Sequence, residues 1–174
     1  MVALLGDQYL LWSKVAMKNR IAALATMVAV ALSSAAAAGS VITNDMNKCA
    51  AGKGPAIKVT IIGVSSSTGK VRVQSYRASK STWLAKGGWL HRIESGARAG
   101  SMSFCLPVSE TGQYGIAVRH DKNANGKTDL SSDGGGFSNN PSINIFNLGK
   151  PAVGKVSFYA GPGVTSISIN MKYM

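Results

Sequence analysis

The sequence predicts an all-β protein, an antiparallel β-sandwich of about seven strands with one short helix. Gly accounts for 20 of the 174 residues and charged residues for only 15% of them, a composition that suits a domain rich in turns. Several short segments alternate apolar and polar side chains with a period of two, which places one face of a strand against a core and the other in water. Turn-forming residues separate these segments at regular intervals, as is typical of a sandwich.

The first two predicted strands contain residues 57–61 and 71–76. The polar segment 65–69 separates them, so we expect the two strands to form a hairpin. After the second strand, Ser79 or Ser81 is suited to cap the one short helix, which glycines would end a few residues later. Two tryptophans in this region could form an exposed aromatic platform, but buried packing is the commoner use of such side chains and is the interpretation that we favour.

The remaining predicted strands lie in the second half of the chain. Residues 102–106 alternate and end at Pro107, and residues 114–120 form the clearest strand in the sequence. Residues 156–159 and 164–173 supply two more. Nothing in the pattern resembles a βαβ unit or an internal repeat.

The beginning of the chain predicts export. A basic segment ending at Arg20 precedes the uncharged apolar stretch 21–32. Small residues follow, with Ala36 and Ala38 at the two positions that determine cleavage. Residues 1–38 are therefore interpreted as a signal peptide, and the mature protein is expected in the periplasm or outside the cell.

The predicted domain organisation follows from this cleavage. Residues 1–16 are interpreted as an upstream mis-start, residues 39–54 as an N-terminal lead-in, and residues 55–174 as the β-sandwich domain. An uncleaved membrane anchor is the alternative, because residues 21–38 are close to the shortest length that spans a membrane. That stretch is rich in Ala rather than Leu and contains hydroxyl side chains, which weakens retention in the membrane.

The charge balance favours anionic partners. Residues 39–174 carry 16 Lys and Arg side chains against 6 Asp and Glu side chains, an excess that attracts anionic surfaces. The basic residues are scattered rather than grouped, so a solubilising surface is the simpler interpretation and nucleic acid is disfavoured as a partner. An anionic envelope polymer or lipid is the partner class that we retain.

Cys49 and Cys105 are the only two cysteines, and both lie in the part predicted to be exported. An even number of cysteines in an oxidising compartment predicts a disulfide. The C-x-x-C spacing of a redox or metal-binding pair is absent. The sequence therefore predicts a structural disulfide that links the lead-in to a strand in the middle of the chain.

One polar loop has the spacing of a calcium site. Oxygen-bearing side chains recur at alternate positions in Asp121, Asn123 and Asn125. Gly126 stands where a calcium loop turns sharply, and Asp129 where such a loop contributes a ligand directly or through water. Hard cations bind several oxygen ligands on a short curved segment, so this pattern predicts a weak calcium loop.

The match to a calcium loop is incomplete. Ser132 occupies the position of the usual bidentate Glu, and Asp133 stands one place later. The candidate calcium ligands are Asp121, Asn123, Asn125, Lys127 through its backbone carbonyl, Asp129 and Asp133. The alternative is a polar hairpin without metal, in which Asn125 and Gly126 form a type I′ turn and the Asx side chains cap their own backbone.

His120 and a glycine run flank this loop. His120 shares a face with the larger apolar residues of strand 114–120, so we expect it to point inward and to hydrogen-bond the loop backbone without binding metal. A catalytic role would need a nucleophile or paired carboxylate within reach, and Asp121 points to the opposite face, so we predict no catalytic residue. Residues 134–136 are all Gly and predict tight or left-handed backbone, with Phe137 anchoring the loop to the sandwich.

Several of these segments resemble a known family. They are similar to the uncharacterised secreted family called domain of unknown function 2141 in residues 83–87, 114–118, 120–129, 136–140 and 167–173. The resemblance spans roughly residues 55–174 and implies export and a β-sandwich of the immunoglobulin or transthyretin-like kind, without an established activity. Between Asp129 and Phe137 the chain departs from the family pattern, since the stretch is shorter and Asp133 stands in place of a Glu.

Three functional hypotheses follow. The leading one is a non-enzymatic exported module that binds a ligand at its loop end, with calcium shaping that end. The second is an envelope-associated protein held to anionic polymer or lipid by its positive surface. The third, and least supported, is a hydrolase that uses His120.

Overall fold

Two β-sheets pack face to face in the computed structural model, which describes residues 39–143 and 149–174. The larger sheet has the strand order β1-β4-β3-β6-β7-β10, with β8 also paired to β6, and the smaller sheet has the order β5-β2-β9. The strands are β1 (Ser40–Val41), β2 (Ala56–Val64), β3 (Lys70–Arg77), β4 (Trp89–Gly96), β5 (Gly100–Pro107), β6 (Gly112–Asp121), β7 (Gly134–Phe137), β8 (Phe158–Ala160), β9 (Val164–Asn170) and β10 (Lys172–Tyr173). The predicted all-β sandwich is confirmed, with ten strands in the described residues rather than about seven.

The core between the sheets is built from one face of each long strand. Ile57, Val59 and Ile61 of β2 have no exposed surface, and neither do Tyr114 and Ile116 of β6. The residues between them point to the outer faces of the two sheets, because side chains alternate along a strand. Burial therefore alternates along β2 as the sequence pattern predicts, whereas residues 114–118 of β6 are all buried, because Trp83 and Val156 also cover the outer face at Gly115.

Strands β2 and β3 do not form the predicted hairpin. β2 pairs with β5 and β9 in the smaller sheet, whereas β3 pairs with β4 and β6 in the larger sheet. Residues 65–69 carry the chain from one sheet to the other. Alternation identifies a half-buried strand but does not say which strand lies beside it, and this expectation was wrong for that reason.

Most strand pairs are antiparallel, as predicted, but two pairs in the described residues are parallel. β9 runs parallel to β2 from Val164 to Asn170, and β1 runs parallel to β4. Both parallel strands are outermost in their sheets and reach their partners through long connections. Parallel neighbours need such crossovers, so short-range turn signals could not predict them.

The predicted short helix lies elsewhere in the chain. Residues 79–84 form turns, and Leu84 has a φ of 54°. The hydroxyl of Thr82 donates to the carbonyl of Arg77 at 2.8 Å, a local bond that competes with helix formation. The described residues instead contain a four-residue helix, α1 (Val153–Val156), and a 3-10 turn at Met46–Cys49.

Trp83 packs on the outer face of the larger sheet, in agreement with the packing interpretation. Its ring lies edge-to-face against Tyr76 and Phe137, with centroid separations of 5.1 and 5.8 Å. Its indole Nε1 donates to the carbonyl of Pro151 at 2.8 Å. A Cβ on Gly115 would lie 2.8 Å from the same ring, so the glycine makes room for the tryptophan.

The glycine run forms β7 rather than a tight or left-handed turn, so that expectation was wrong. None of residues 134–136 has a positive φ. A Cβ on Gly134 would lie 2.4 Å from the Tyr173 ring, and one on Gly136 would lie 2.7 Å from a methyl group of Ile169. A Cβ on Gly135 would meet nothing within 4 Å. The run therefore permits close packing on the inner face and leaves the outer face open.

This difference predicts a large loss of stability for one of two neighbouring substitutions and almost none for the other. Gly136→Ala is expected to lower the free energy of unfolding by about 2 kcal/mol, because the new methyl group overpacks the contact with Ile169. Gly135→Ala is the matched control and is expected to change it by less than about 0.5 kcal/mol. Urea denaturation followed by circular dichroism measures both values. Equal losses would contradict the role of Gly136 in packing.

The disulfide between Cys49 and Cys105 is present, with a Cα–Cα distance of 5.8 Å. It joins the lead-in, residues 39–54, to β5, as predicted. The predicted signal peptide, residues 1–38, lies outside the described residues. Within residues 39–143 and 149–174, no helix combines the length and the apolar character that a membrane crossing requires.

Both outer strands of the smaller sheet are met by an asparagine side chain. The amide of Asn44 donates to the carbonyl of Ser103 and accepts from the N–H of Cys105, both at 3.0 Å. On the opposite edge, Asn140 donates to the carbonyl of Ser168 at 3.0 Å and accepts from the N–H of Asn170 at 2.7 Å. Each side-chain amide thus pairs with a strand as a peptide group would.

Candidate functional site

The polar hairpin, residues 121–133, connects β6 to β7 and begins at a buried carboxylate. Asp121 is 4% exposed. Its two oxygens accept from the backbone N–H of Asn125 at 3.2 Å and of Gly126 at 2.9 Å. The side chain at the start of the hairpin therefore holds the turn at its tip.

A second buried carboxylate closes the other end of the polar hairpin. Asp133 accepts from the backbone N–H of Lys122 at 3.1 Å and of Asp129 at 3.0 Å. Charge-assisted bonds to backbone donors are among the stronger hydrogen bonds in proteins. Asp133, which stands one position late for a calcium loop, thus links the two ends of the hairpin.

The exposed part of the hairpin is held by its amide side chains. Asn123 and Asn125 both donate to Asp129, at 2.9 and 2.7 Å, and these bonds lower the pKa of the Asp129 carboxyl. Asn125 also accepts from the N–H of Lys127 at 2.7 Å. The left-handed residues are Ala124 and Gly126, so the type I′ turn expected at positions 125 and 126 is not formed.

All six candidate calcium ligands therefore lie in one short hairpin, and the hairpin's own N–H groups bond every one of their carboxylates. These contacts agree with the alternative in which Asx side chains cap their own backbone. Within the described residues, no group of three or more His, Cys, Asp and Glu side chains is arranged to hold a metal ion. A carboxylate oxygen has more than one lone pair, so calcium coordination stays a prediction.

His120 points inward, as predicted, and is fully buried. Its Nε2 lies 2.8 Å from the carbonyl of Thr68 and its Nδ1 lies 2.8 Å from the hydroxyl of Tyr173. A carbonyl can only accept, so Nε2 donates to Thr68, and in the neutral ring Nδ1 then accepts from the tyrosine. The same hydroxyl accepts from the N–H of Ser65 at 3.0 Å. His120 therefore supports the crossover at residues 65–69, not the polar hairpin as expected.

Arg119, which the sequence analysis did not single out, joins the hairpin to the sheet. Its guanidinium donates to the carboxylate of Asp121 at 3.2 Å, to the carbonyl of Gly126 at 3.0 Å and to the hydroxyl of Thr128 at 3.0 Å. Burial lowers the pKa of Arg119, and the nearby charge of Arg72 lowers it further. The sequence signal was a charged residue two positions before Asp121, on the face of β6 that also carries the small residues Gly115 and Ala117.

A groove of about 660 Å³ lies beside the hairpin on the outer face of the larger sheet. One row of its floor runs across four adjacent strands through Arg72, Arg119, Gly135 and Lys172, which are aligned by the strand register. We call this row the cationic row. Because Gly135 has no side chain, the row has a gap between its second and fourth members. Pockets of this volume are typical of small-molecule sites.

The charges that line the groove are mainly positive. Arg72 is paired with Glu94 at 2.7 Å, and Arg119 is paired with Asp121. Lys150 also lines the groove, and neither it nor the lysine of the cationic row has an ion-pair partner among residues 39–143 and 149–174. Among the described side chains that line the groove, the one carboxylate is that of Asp133, which already accepts two backbone N–H groups. An anion would therefore meet unpaired positive charge.

The opposite end of the groove is mainly apolar. The next row of the sheet places Gln74, Ala117 and Phe137 side by side, and Tyr76, Leu84 and Ile143 add apolar surface around the last two. Rows on one face of a strand are separated by two residues, roughly 7 Å. The groove thus combines a charged end and an apolar end a short distance apart.

Most residues of the core and of the groove lie in a segment that matches a known family. The family described as an uncharacterized protein conserved in bacteria (DUF2141) matches residues 59–168. The chain is a member of the DUF2141 family. The expected resemblance is thereby confirmed. The matched part of the DUF2141 domain contains the whole polar hairpin and three of the four residues of the cationic row. No curated protein and no solved structure matches the chain.

Proposed function

We propose that this DUF2141 protein is an exported, non-enzymatic module that binds a small anionic ligand in the groove. The observation that supports the proposal is the cationic row, in which Arg119 and Lys172 flank the open face of Gly135. Neighbouring strands are about 4.8 Å apart, so the two flanking backbones are separated by about 10 Å. That gap is wide enough to admit a small anionic group between two positive side chains.

The surroundings of the titratable groups favour binding over catalysis. A general base must reach the proton that it removes, but His120 is fully buried and both of its ring nitrogens are hydrogen-bonded. The carboxylates of Asp121 and Asp133 are likewise occupied by backbone donors. These contacts support a role in which the groove holds a ligand without transforming it.

Export to the periplasm or beyond is part of the proposal. Disulfides persist in oxidising compartments and are rare in the cytosol, and Cys49 and Cys105 are paired. The predicted signal peptide at residues 1–38 agrees with this location. Retention on an anionic envelope polymer or lipid is the second candidate, supported by the excess of basic residues in the mature chain. The concave shape of the groove favours a small ligand over an extended polymer.

The fluorescent anion anilinonaphthalene sulfonate (ANS) tests the proposal. The wild-type protein is expected to bind ANS saturably, and Gly135→Leu is expected to weaken this binding at least about tenfold by filling the gap in the cationic row. Gly96→Leu is the matched control, because a Cβ there also meets nothing within 4 Å and Gly96 does not line the groove. Fluorescence titration measures the affinities, and melting curves check that both variants remain folded.

Two results would contradict the proposal. Folded Gly135→Leu protein that binds ANS as tightly as the wild type would show that the groove is not the site. Equal weakening by Gly96→Leu would show that binding depends on the general surface rather than on the cationic row. Retention of Gly135→Leu protein on an anionic polymer, lost at high salt, would favour the envelope candidate instead.

A further inference from the structure

We infer that the ligand is a single-tailed carboxylate, bound with its carboxylate in the gap between Arg119 and Lys172 and its apolar tail over Ala117 toward Leu84. The inference rests on the proposed function and specifies the ligand of the same groove. It joins two features that lie in adjacent rows of one sheet, a charged gap and an apolar surface.

The charged end suits one negative charge. Arg119 is fixed by three acceptors of the polar hairpin, so its position is set before a ligand arrives. Its charge and that of Arg72 are already balanced by Asp121 and Glu94. Lys172 is exposed and is the unpaired cation of the row. Lys150 lines the groove outside this row, so the gap itself has one unpaired charge, which matches a monoanion such as a carboxylate better than a phosphate dianion.

The apolar end suits a tail rather than a second polar group. Phe137 is 8% exposed and packs edge-to-face against Trp83, so this wall is rigid. Leu84 and Ile143 are half-buried and contribute the surface that a ligand would cover. The small side chain of Ala117 leaves space for a tail between Phe137 and the cationic row. Each buried CH₂ group of a tail is expected to raise the affinity roughly fourfold.

The orientation of the ligand follows from what borders each end. The polar hairpin borders the charged end through Thr128 and Asp133, whereas Tyr76 and Leu84 border the other end. A carboxylate placed at the apolar end would lose water without gaining a cation, which is costly. If the apolar tail lay in the gap instead, the carboxylate would lie away from Arg119 and Lys172. The carboxylate therefore lies at the gap.

Isothermal titration of the full protein with decanoate, below the concentration at which it forms micelles, tests the inference. Acetate lacks the tail, decanol lacks the charge, and sebacate carries a carboxylate at both ends. We expect decanoate to bind at least about tenfold more tightly than each of these three compounds. Octanoate should bind more weakly than decanoate, by about the factor expected for two CH₂ groups.

Two variants separate the ends of the groove. Lys172→Gln is expected to weaken decanoate about tenfold and leave decanol unchanged, with the exposed Lys155→Gln as its control. Leu84→Asn places a polar group at the apolar end and should preserve the fold, because Asn tolerates the left-handed backbone at this position. It is expected to weaken decanoate at least about fivefold and leave acetate unchanged.

The outcomes distinguish the inference from the proposed function. If ANS binds in the groove but decanoate binds no more tightly than acetate or sebacate, the inference is wrong and the anion-binding function stands. If decanol binds as tightly as decanoate, charge has no role and both are wrong. If Leu84→Asn leaves decanoate binding unchanged in a folded protein, the tail does not lie at the apolar end and the inference is overturned.

Discussion

Replacing Cys49 and Cys105 together with alanine is expected to lower the free energy of unfolding by about 4 kcal/mol. The two cysteines are 56 residues apart in sequence, so the disulfide removes a large share of the conformational freedom of the unfolded chain. It also fixes the lead-in against β5, where Asn44 makes its two hydrogen bonds. Urea denaturation of the wild type and the double variant under oxidising conditions measures the loss.

Reduction supplies the control for this prediction. Dithiothreitol should lower the stability of the wild type toward that of the double variant and should leave the double variant unchanged. A double variant that unfolds at the same urea concentration as the oxidised wild type would show that the disulfide does not stabilise the domain.

Asp121→Ala is expected to lower the free energy of unfolding by about 3 kcal/mol. The change removes the acceptor of two backbone N–H groups at the tip of the polar hairpin. It also leaves the largely buried Arg119 without its counter-charge, since the two side chains are only 16% and 5% exposed. Removing one partner of such a pair costs more than removing an exposed one. Urea denaturation in the absence of calcium measures the loss.

Asp129→Ala is the matched control in the same hairpin, because its carboxylate is less buried than that of Asp121 and accepts from two side-chain amides rather than from the backbone. We expect that substitution to cost much less stability than Asp121→Ala. Equal losses in the two variants would mean that Asp121 does not hold the hairpin.

The same proteins test calcium binding by the polar hairpin. If calcium is coordinated, the melting temperature of the wild type rises in millimolar calcium and falls with chelator, and both variants lose this response. If the Asx side chains only cap the hairpin's own backbone, the melting temperature of the protein is the same with calcium and with chelator.

Strand positions could be predicted because the larger apolar side chains recur at every second residue in the sequence. The segments at 57–61 and 114–120 show this repeat and lie within β2 and β6, although burial itself alternates in β2 and not over residues 114–118 of β6. Strand partners could not be predicted in the same way, because pairing joins residues that are distant in sequence. Residues 65–69 have the composition of a hairpin turn but connect two different sheets, and composition does not distinguish the two cases.

The same distinction between local and long-range features decides which part of the candidate site could be predicted. The polar hairpin is local, so the spacing of Asp121, Asn123 and Asn125 predicted a self-contained cluster of oxygen ligands and backbone caps. The cationic row is not local, since it requires the register of four strands. Gly135 had the sequence signature of a turn, and its function as a gap between Arg119 and Lys172 exists only once β7 lies between β6 and β10.

The two asparagines at the margins of the smaller sheet bear on how the protein behaves when it is concentrated. An outermost strand with free peptide groups is a template on which another chain can add, and this is how fibrils begin. At residues 103–105 and 168–170 those groups are already engaged by Asn44 and Asn140. An approaching strand would find these peptide groups already occupied, which disfavours edge-to-edge pairing at these two points.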